Sequence, residues 1–155
     1  MDITFNSKIG IIKVSGCSSY IRKVDFLEGS QVQDSSENIN VPSPLYTDAK
    51  NQIQEYLSGQ RSSFDLALNF ESGTEFQQSV WKEMLKIPYG EVRTYGEIAK
   101  LLGKPGASRA IGGACNKNLI PLIIPCHRIV SSTGLGGFAY GLTMKNEILN
   151  IESSK

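Results

Sequence analysis

Residues 94–116, TYGEIAKLLGKPGASRAIGGACN, contain two short helical patterns separated by the helix breaker GKPG. Thr94 and Glu97 form a capping-box pattern, which predicts that the first helix begins there. The residues expected to face inward are Ile98, Leu101 and Leu102 in the first helix and Ala107, Ala110, Ile111 and Ala114 in the second. Two short helices joined by a Gly/Pro turn are typical of a helix-turn-helix, although an αα-hairpin inside a core fits the same pattern.

Two further helices flank this pair. Thr74 and Gln77 form a capping-box pattern before FQQSVWKEMLKI, and TMKNEILNIE predicts a last helix near the end of the chain. The residues expected on the inward faces are Phe76, Val80, Trp81, Met84 and Leu85 in the former, and Leu142, Ile148 and Leu149 in the latter. The second half of the chain is therefore expected to be mostly helical.

The first half has the pattern of a small α/β unit. ITFNSKIGIIKVS and SYIRKVDFLE are rich in β-branched and aromatic residues and predict a hairpin that turns at Gly16–Ser19. A polar surface loop over residues 28–44 leads to a helix in YTDAKNQIQEYLSG and a strand in FDLALNF. We predict an α/β (α+β) fold, with an α/β domain over residues 1–72 and a helical domain over residues 73–155 that carries a winged-helix-like helix-turn-helix.

The composition is that of a globular protein, with 155 residues, 40% hydrophobic and 20% charged. Apolar runs fall short of the ~20 residues that span a bilayer, and MDITFNSKIG resembles no targeting peptide, so we expect no membrane association and a cytoplasmic protein, nucleoid-associated in a prokaryote. Three scattered cysteines and one histidine predict neither a disulfide framework nor a metal site. GLGGFAYG lacks the G-K-[ST] ending of a phosphate loop, and no cofactor is expected.

Positive charge is concentrated around the helix-turn-helix pattern. From Glu75 to Lys145 there are nine Lys/Arg and four Glu, and no acidic residue occurs between Ile98 and Arg128. Such a cluster is often only a solvated face, but a polyanion would bind to it. DNA binding is therefore one of two open interpretations of this segment, beside the αα-hairpin.

The segment LIPLIIPCHRIV, residues 119–130, places Cys126, His127 and Arg128 together after an apolar run. On a flat strand neighbouring side chains point to opposite faces, but after the bend at Pro125 the cysteine and histidine could both address one cavity, directly or through a water molecule. A cysteine needs a base to form the reactive thiolate at neutral pH, and a histidine supplies one. A buried cysteine and a hydrogen-bonded core histidine are the plainer alternatives.

With IPCHRIV, ASRAIGGACNKNLIP and PYGEVRTYGEIA in this order, the chain resembles the O6-alkylguanine-DNA alkyltransferase family from about Phe76 to Glu152. The first half matches more loosely, through EYLSGQRSSFDLAL. The resemblance implies repair of DNA by irreversible, stoichiometric transfer of an alkyl group from O6-alkylguanine, and from O4-methylthymine, to a cysteine. It also implies a monomer that binds double-stranded DNA in the minor groove with the damaged base flipped out.

The resemblance assigns roles in the reaction to five residues. Cys126 would accept the alkyl group, His127 would activate it through a water molecule, and Glu152 would orient His127. Asn118 would brace the turn that carries the active-site strand, and Arg128 would be structural. Each role is an expectation that follows from the matching motif positions.

The resemblance also predicts how the substrate is bound. Tyr95 would assist rotation of the nucleotide and hydrogen-bond the base, and Arg109 would fill the gap left in the duplex. The other residues expected to contact DNA are Lys104, Ala107, Ser108, Gly112 and Lys117. Those expected around the base are Pro121, Ile124, Phe138, Ala139 and Tyr140.

This chain departs from many relatives in the pocket loop, where it has GFAYGL, so that Ala139 offers only its backbone. It also lacks the ligands for the zinc that some relatives carry in their first domain. Two other functions remain open: a lesion-binding protein without transfer activity, which would lack the cysteine at position 126, and a Cys-His hydrolase, which would show repeated turnover.

Overall fold

The computed structural model describes residues 1–29 and 43–153. The predicted surface loop over residues 28–44 therefore lies largely outside the described residues. Across the described ranges, no helix is both long and apolar enough to cross a membrane.

The chain divides into two compact units, Met1–Asn69 and Phe70–Lys155. In its described residues the first unit contains a sheet and one helix, and the second is mainly helical, which confirms the predicted α/β (α+β) class. The sequence placed the division slightly later, after residue 72. Phe70 belongs with the second unit because its ring packs edge-on against Trp81, with ring centroids 6.0 Å apart.

The first unit begins with a three-stranded antiparallel sheet, in which β1 spans Asp2–Ser7, β2 Gly10–Gly16 and β3 Ile21–Leu27. Strands β2 and β3 form the predicted hairpin around Gly16–Ser19, but the first predicted strand contains two strands, β1 and β2, and a tight turn. At that turn Ser7 Oγ donates to Gly10 O and accepts from the N–H of Ile9. Gly10 has φ +118, a conformation open to glycine.

Helix α1 spans Pro44–Leu57 and agrees with the predicted helix. The strand predicted in FDLALNF does not form. Instead the segment meets β3 at one residue, where the N–H of Ile21 donates to Ala67 O and the N–H of Asn69 donates to Ile21 O, both at 2.8 Å. Alternation alone does not make a strand when the segment passes its neighbour at a single point.

Within residues 70–153, the second unit contains four α-helices and two short strands. They are α2 (Glu75–Leu85), β4 (Arg93–Thr94), α3 (Tyr95–Leu101), α4 (Ser108–Asn116), β5 (Ile129–Val130) and α5 (Leu142–Ser153). Thr74 and Gln77 form the predicted capping box, and Thr94 Oγ1 accepts from the N–H of Glu97 at the start of α3. Helices α3 and α4 and the turn between them form the predicted helix–turn–helix pair.

Several residues predicted to face inward are exposed. They are Leu85, Leu101, Ala110 and Leu142. On α5 the buried side chains are Lys145, Ile148 and Glu152, so two of the three are charged. Helical periodicity predicts that charged residues face solvent. This prediction fails for α5 because its buried face contacts backbone carbonyls and an arginine.

Two contacts position the segment that follows α4. Trp81 Nε1 donates to Ala114 O at 2.9 Å and thereby holds the end of α4 against α2. Strands β4 and β5 pair in parallel, with Arg93 beside Ile129. Strand β4 leads directly into α3, and β5 directly follows residues 126–128. This pairing therefore brings the start of α3 close to residues 125–128.

Candidate active site

The apolar run before the cysteine forms a compact buried turn rather than a strand. Asn118 braces it at both ends, because its Nδ2 donates to Ile124 O and its Oδ1 accepts from the N–H of Ile120, both at 2.9 Å. Leu122 has φ +73, the one positive φ at a non-glycine residue in the described ranges. This backbone conformation is unfavourable for a residue with a side chain, and the two hydrogen bonds of Asn118 offset its energetic cost.

Pro125 then reverses the chain in an inverse γ-turn. Its φ and ψ are −81 and 66, and the N–H of Cys126 donates to Ile124 O at 2.8 Å. Residues Cys126–Arg128 continue as a single 3-10 turn. The predicted bend is present, and it leaves Cys126 buried with 7% of its surface exposed.

His127 points away from solvent and contacts a carboxylate. Its Nε2 lies 2.7 Å from Glu152 Oε2, and its side chain is fully buried. Two nitrogens of the Arg128 guanidinium donate to Glu152, Nε at 2.9 Å and Nη2 at 3.0 Å, while Arg128 Nη1 donates to Ile87 O. The N–H of Gly90 adds a further bond to Glu152. Glu152 is thus placed to orient the imidazole, and Arg128 balances its charge.

A cavity of about 450 Å³ opens beside Cys126. Its volume lies within the range of small-molecule sites. The residues that line it include Tyr95 from α3, Arg109 and Cys115 from α4, Cys126, and Gly137, Phe138 and Ala139 from the loop before α5. His127 is not among the residues that line this cavity, so the cysteine and the histidine do not both reach it directly.

The electrostatics of the two central residues follow from burial. Burial raises the pKa of the Cys126 thiol to about 11, although Asn118, Lys145 and nearby backbone N–H groups act in the opposite direction. Burial also lowers the pKa of His127, which Glu152 only partly offsets. At neutral pH the site therefore holds a thiol and a neutral imidazole, a state in which the ring can accept a proton.

We predict that the reaction of Cys126 with iodoacetamide accelerates by about tenfold per pH unit between about pH 7 and 10, because the thiolate fraction rises with pH below the pKa. Mass mapping of the alkylated peptides at each pH measures the rate. Cys17 serves as the internal control, since a hydrogen bond from the N–H of Ser19 lowers its pKa and its rate should level off earlier. A plateau for Cys126 below pH 9 would contradict the burial argument.

The residues predicted to contact DNA lie around α4. Ala107 is its N-cap, and Ser108 and Arg109 occupy its first turn, where both are exposed. Lys104 is exposed beside the Phe76 ring, and Lys117 is exposed after the helix. Gly112 and Arg109 also line the cavity, so this group reaches from the helix surface to the cavity that Cys126 lines.

The residues predicted to surround the base are only partly brought together. Phe138 and Ala139 line the cavity, whereas Pro121, Ile124 and Tyr140 do not. Pro121 and Ile124 are buried in the braced turn, and Tyr140 packs edge-on against Phe138 with ring centroids 5.7 Å apart. The sequence analysis did not predict that Cys115 lines the cavity or that Lys145 is buried near it. No local pattern marks Cys115, and Lys145 resembles an ordinary surface lysine of an amphipathic helix.

The arrangement defines a class of protein: a buried thiol backed by a His–Glu–Arg network, in a cavity beside a helix–turn–helix pair. Residues 75–154 match the family model of the 6-O-methylguanine DNA methyltransferase DNA binding domain, and residues 2–70 match that of its ribonuclease-like domain. The chain belongs to the 6-O-methylguanine DNA methyltransferase family, and the resemblance seen in the sequence is confirmed.

Individual relatives match along most of their length. A methylated-DNA–protein-cysteine methyltransferase of Methanosarcina acetivorans is 43% identical over 151 residues, which cover 97% of this chain and 96% of that protein. The crystal structure of Mycobacterium tuberculosis OGT in complex with DNA has a TM-score of 0.84 and 39% identity, covering 97% of this chain and 91% of that one. The O6-methylguanine-DNA methyltransferase of Pyrococcus kodakaraensis has a TM-score of 0.71 and 27% identity over 98% of this chain and 99% of that one.

Proposed function

We propose that this protein repairs DNA by moving the alkyl group of O6-alkylguanine, and of O4-methylthymine, irreversibly to Cys126. The observation that carries this is the placement of the Cys126 thiol in the cavity, directly before the buried His127–Glu152 pair. Membership of the methyltransferase family supports the same reaction. Among residues 1–29 and 43–153, no cluster of His, Cys, Asp and Glu side chains is arranged to hold a metal ion.

The transfer is an in-line displacement at the alkyl carbon. The proton of Cys126 passes through a water molecule to His127, which Glu152 orients, and the sulfur forms a bond to the carbon. The bond from this carbon to O6 breaks, and its electron pair stays on the guanine. Tyr95 donates a hydrogen bond to the base and stabilises the leaving anion. Fixed alignment of sulfur and carbon can lower the activation free energy by about 7–11 kcal/mol.

The raised pKa of Cys126 fits this sequence of events. A thiol of pKa about 11 is almost entirely protonated at neutral pH, so proton removal must accompany attack. His127, with its lowered pKa, is neutral and can take the proton. The product is a thioether, which thiol exchange does not reverse, so each molecule acts once.

DNA binding in the minor groove places the damaged base in the cavity. The base leaves the duplex, and Arg109 fills the gap, because its guanidinium stacks on neighbouring bases while its donors reach the orphaned cytosine. The position of Arg109 supports this, since it is exposed in the first turn of α4 and also lines the cavity. Recognition and transfer would then both reside in residues 73–155 of a monomer located in the cytoplasm.

We expect Arg109→Ala to slow repair of a duplex substrate by about 10–100-fold. Unstacking a base costs a few kcal/mol, and the contacts of Arg109 in the vacated space offset part of that cost. The rate of reaction with free O6-benzylguanine, which is not part of DNA and needs no flipping, should change by less than about threefold. Single-turnover rates on both substrates measure the difference. Arg93→Ala is the matched control, since Arg93 is half-exposed, pairs with Glu91 and does not line the cavity. Equal slowing of both reactions by Arg109→Ala would contradict the role in flipping.

Stoichiometry tests the proposed function against its rivals. With O6-methylguanine DNA in large excess, repair should stop after one equivalent of lesion per molecule of protein. A lesion-binding protein would repair none, and a Cys-His hydrolase would continue past one equivalent and would turn over an ester substrate. Counting repaired lesions after complete reaction separates the three.

A further inference from the structure

Lys145 on α5 is the one lysine in the described ranges that is fully buried. Its ammonium donates to three backbone carbonyls, Ile129 O at 2.6 Å, Leu135 O at 2.5 Å and Gly137 O at 2.9 Å. An ammonium has three N–H donors, so all of them are used. Lysine is rarely buried completely unless it has partners, and here the partners are carbonyls rather than a carboxylate.

These carbonyls belong to two chain segments, each of which also contains a residue that lines the cavity, Cys126 in one and Gly137 in the other. Ile129 directly follows the turn Cys126–Arg128 that carries the reactive cysteine. Leu135 and Gly137 belong to the opposite loop, and Gly137 itself lines the cavity. One buried cation therefore ties the segment of the nucleophile to the loop that faces it.

The same loop holds the hydroxyl of Tyr95. The peptide unit between Gly136 and Gly137 lies between the two loop carbonyls that Lys145 binds, and the N–H of Gly137 donates to Tyr95 Oη at 3.3 Å. Packing at this point is tight, because a Cβ on Gly136 would lie 2.9 Å from Tyr95 Oη. The orientation of this peptide thus sets the position of the phenol.

We propose that Lys145 is a positioning residue for alkyl transfer, which fixes the Gly136–Gly137 peptide and through it places the Tyr95 hydroxyl opposite Cys126. The proposal rests on the proposed function, in which Tyr95 donates to the leaving base. Lys145 does not line the cavity, so it acts through the loop and not on the substrate. Its charge also lowers the pKa of Cys126 slightly against burial, which is a competing route to an effect on the rate.

A double-mutant cycle separates the two routes. Lys145→Met should slow single-turnover reaction with O6-benzylguanine by about 30-fold, but by less than about threefold in protein that already carries Tyr95→Phe, since residues acting through one another are not additive. Lys82→Met, at an exposed position on α2, is the matched control and should leave the rate unchanged. Equal slowing by Lys145→Met in both backgrounds would overturn the proposal and favour an effect on the thiol or the fold.

A spectroscopic measurement without substrate tests the positioning itself. With 3-fluorotyrosine at position 95, Lys145→Met should shift and broaden the ¹⁹F resonance, while Lys82→Met should not. Gly136→Ala, which disturbs the phenol from the loop side, should shift the same resonance; if Lys145→Met does not melt cooperatively, Lys145→Gln takes its place. An unchanged resonance in the folded Lys145 variant would overturn the proposal. If unmodified protein transfers no alkyl group, the proposed function is wrong, and the ¹⁹F spectrum still decides whether Lys145 positions Tyr95.

Discussion

Cys126→Ser should reduce alkyl transfer by more than about 10³-fold, below detection, while the protein still binds DNA. A serine hydroxyl has nearly the same shape but is far harder to deprotonate than a thiol, so His127 cannot activate it. DNA binding should persist because Cys126 is buried beneath the cavity, whereas the basic residues around α4 are exposed. The measurements are single-turnover transfer and the dissociation constant for undamaged duplex.

Cys115→Ser provides the matched control for this variant. Cys115 lines the same cavity, and burial raises the pKa of its thiol to about 12, so it should accept no alkyl group. We expect the Cys115→Ser variant to retain transfer within about threefold of the unmodified protein. Transfer that survives Cys126→Ser but is lost in Cys115→Ser would reverse the assignment of the two thiols.

Glu152→Gln should lower the free energy of unfolding by about 3 kcal/mol, because it leaves the buried Arg128 charge without its carboxylate. Arg128 is 7% exposed and Glu152 is 3% exposed, so water cannot replace the lost charge pair. The amide oxygen can still accept a hydrogen bond, which keeps the loss near the lower end of the range for a broken buried pair. Denaturant unfolding, with a check that the slope is unchanged, measures it.

The exposed pair formed by Lys86 and Glu83 gives a matched comparison for Glu152→Gln. Lys86 Nζ lies 2.9 Å from Glu83 Oε1, but the lysine side chain is 70% exposed. Glu83→Gln should therefore change the free energy of unfolding by less than about 1 kcal/mol. Similar losses in the two variants would show that burial of the Arg128–Glu152 pair adds nothing to stability.

The sequence predicts best the features that depend on local chemistry. Thr74 and Thr94 mark helix starts because their hydroxyls accept backbone N–H groups three residues later, a property of sequence spacing. Pro125 predicts the bend before Cys126 because proline both restricts φ and lacks an N–H. The helix–turn–helix pair and the neighbouring cysteine and histidine could also be predicted, because they too depend on residues close together in the sequence.

Features that depend on distant partners were missed or misjudged. Periodicity alone expects Lys145 and Glu152 in solvent, and only the family resemblance predicted the contact of Glu152 with His127. The partners Ile129 O and Arg128 come from another part of the second unit. The apolar run before Cys126 predicts a strand, but Asn118 and the positive φ of Leu122 turn it back on itself. Such contacts follow from the packing of segments far apart in sequence, which periodicity does not describe.

The most direct test of the central claim is peptide mass mapping after one round of reaction with an O6-methylguanine oligonucleotide. The peptide containing Cys126 should gain one CH₂ in proportion to the lesions repaired, and the peptides containing Cys17 and Cys115 should stay unmodified. Repair without a mass change at Cys126, or the added mass on either of the other two cysteines, would contradict the claim.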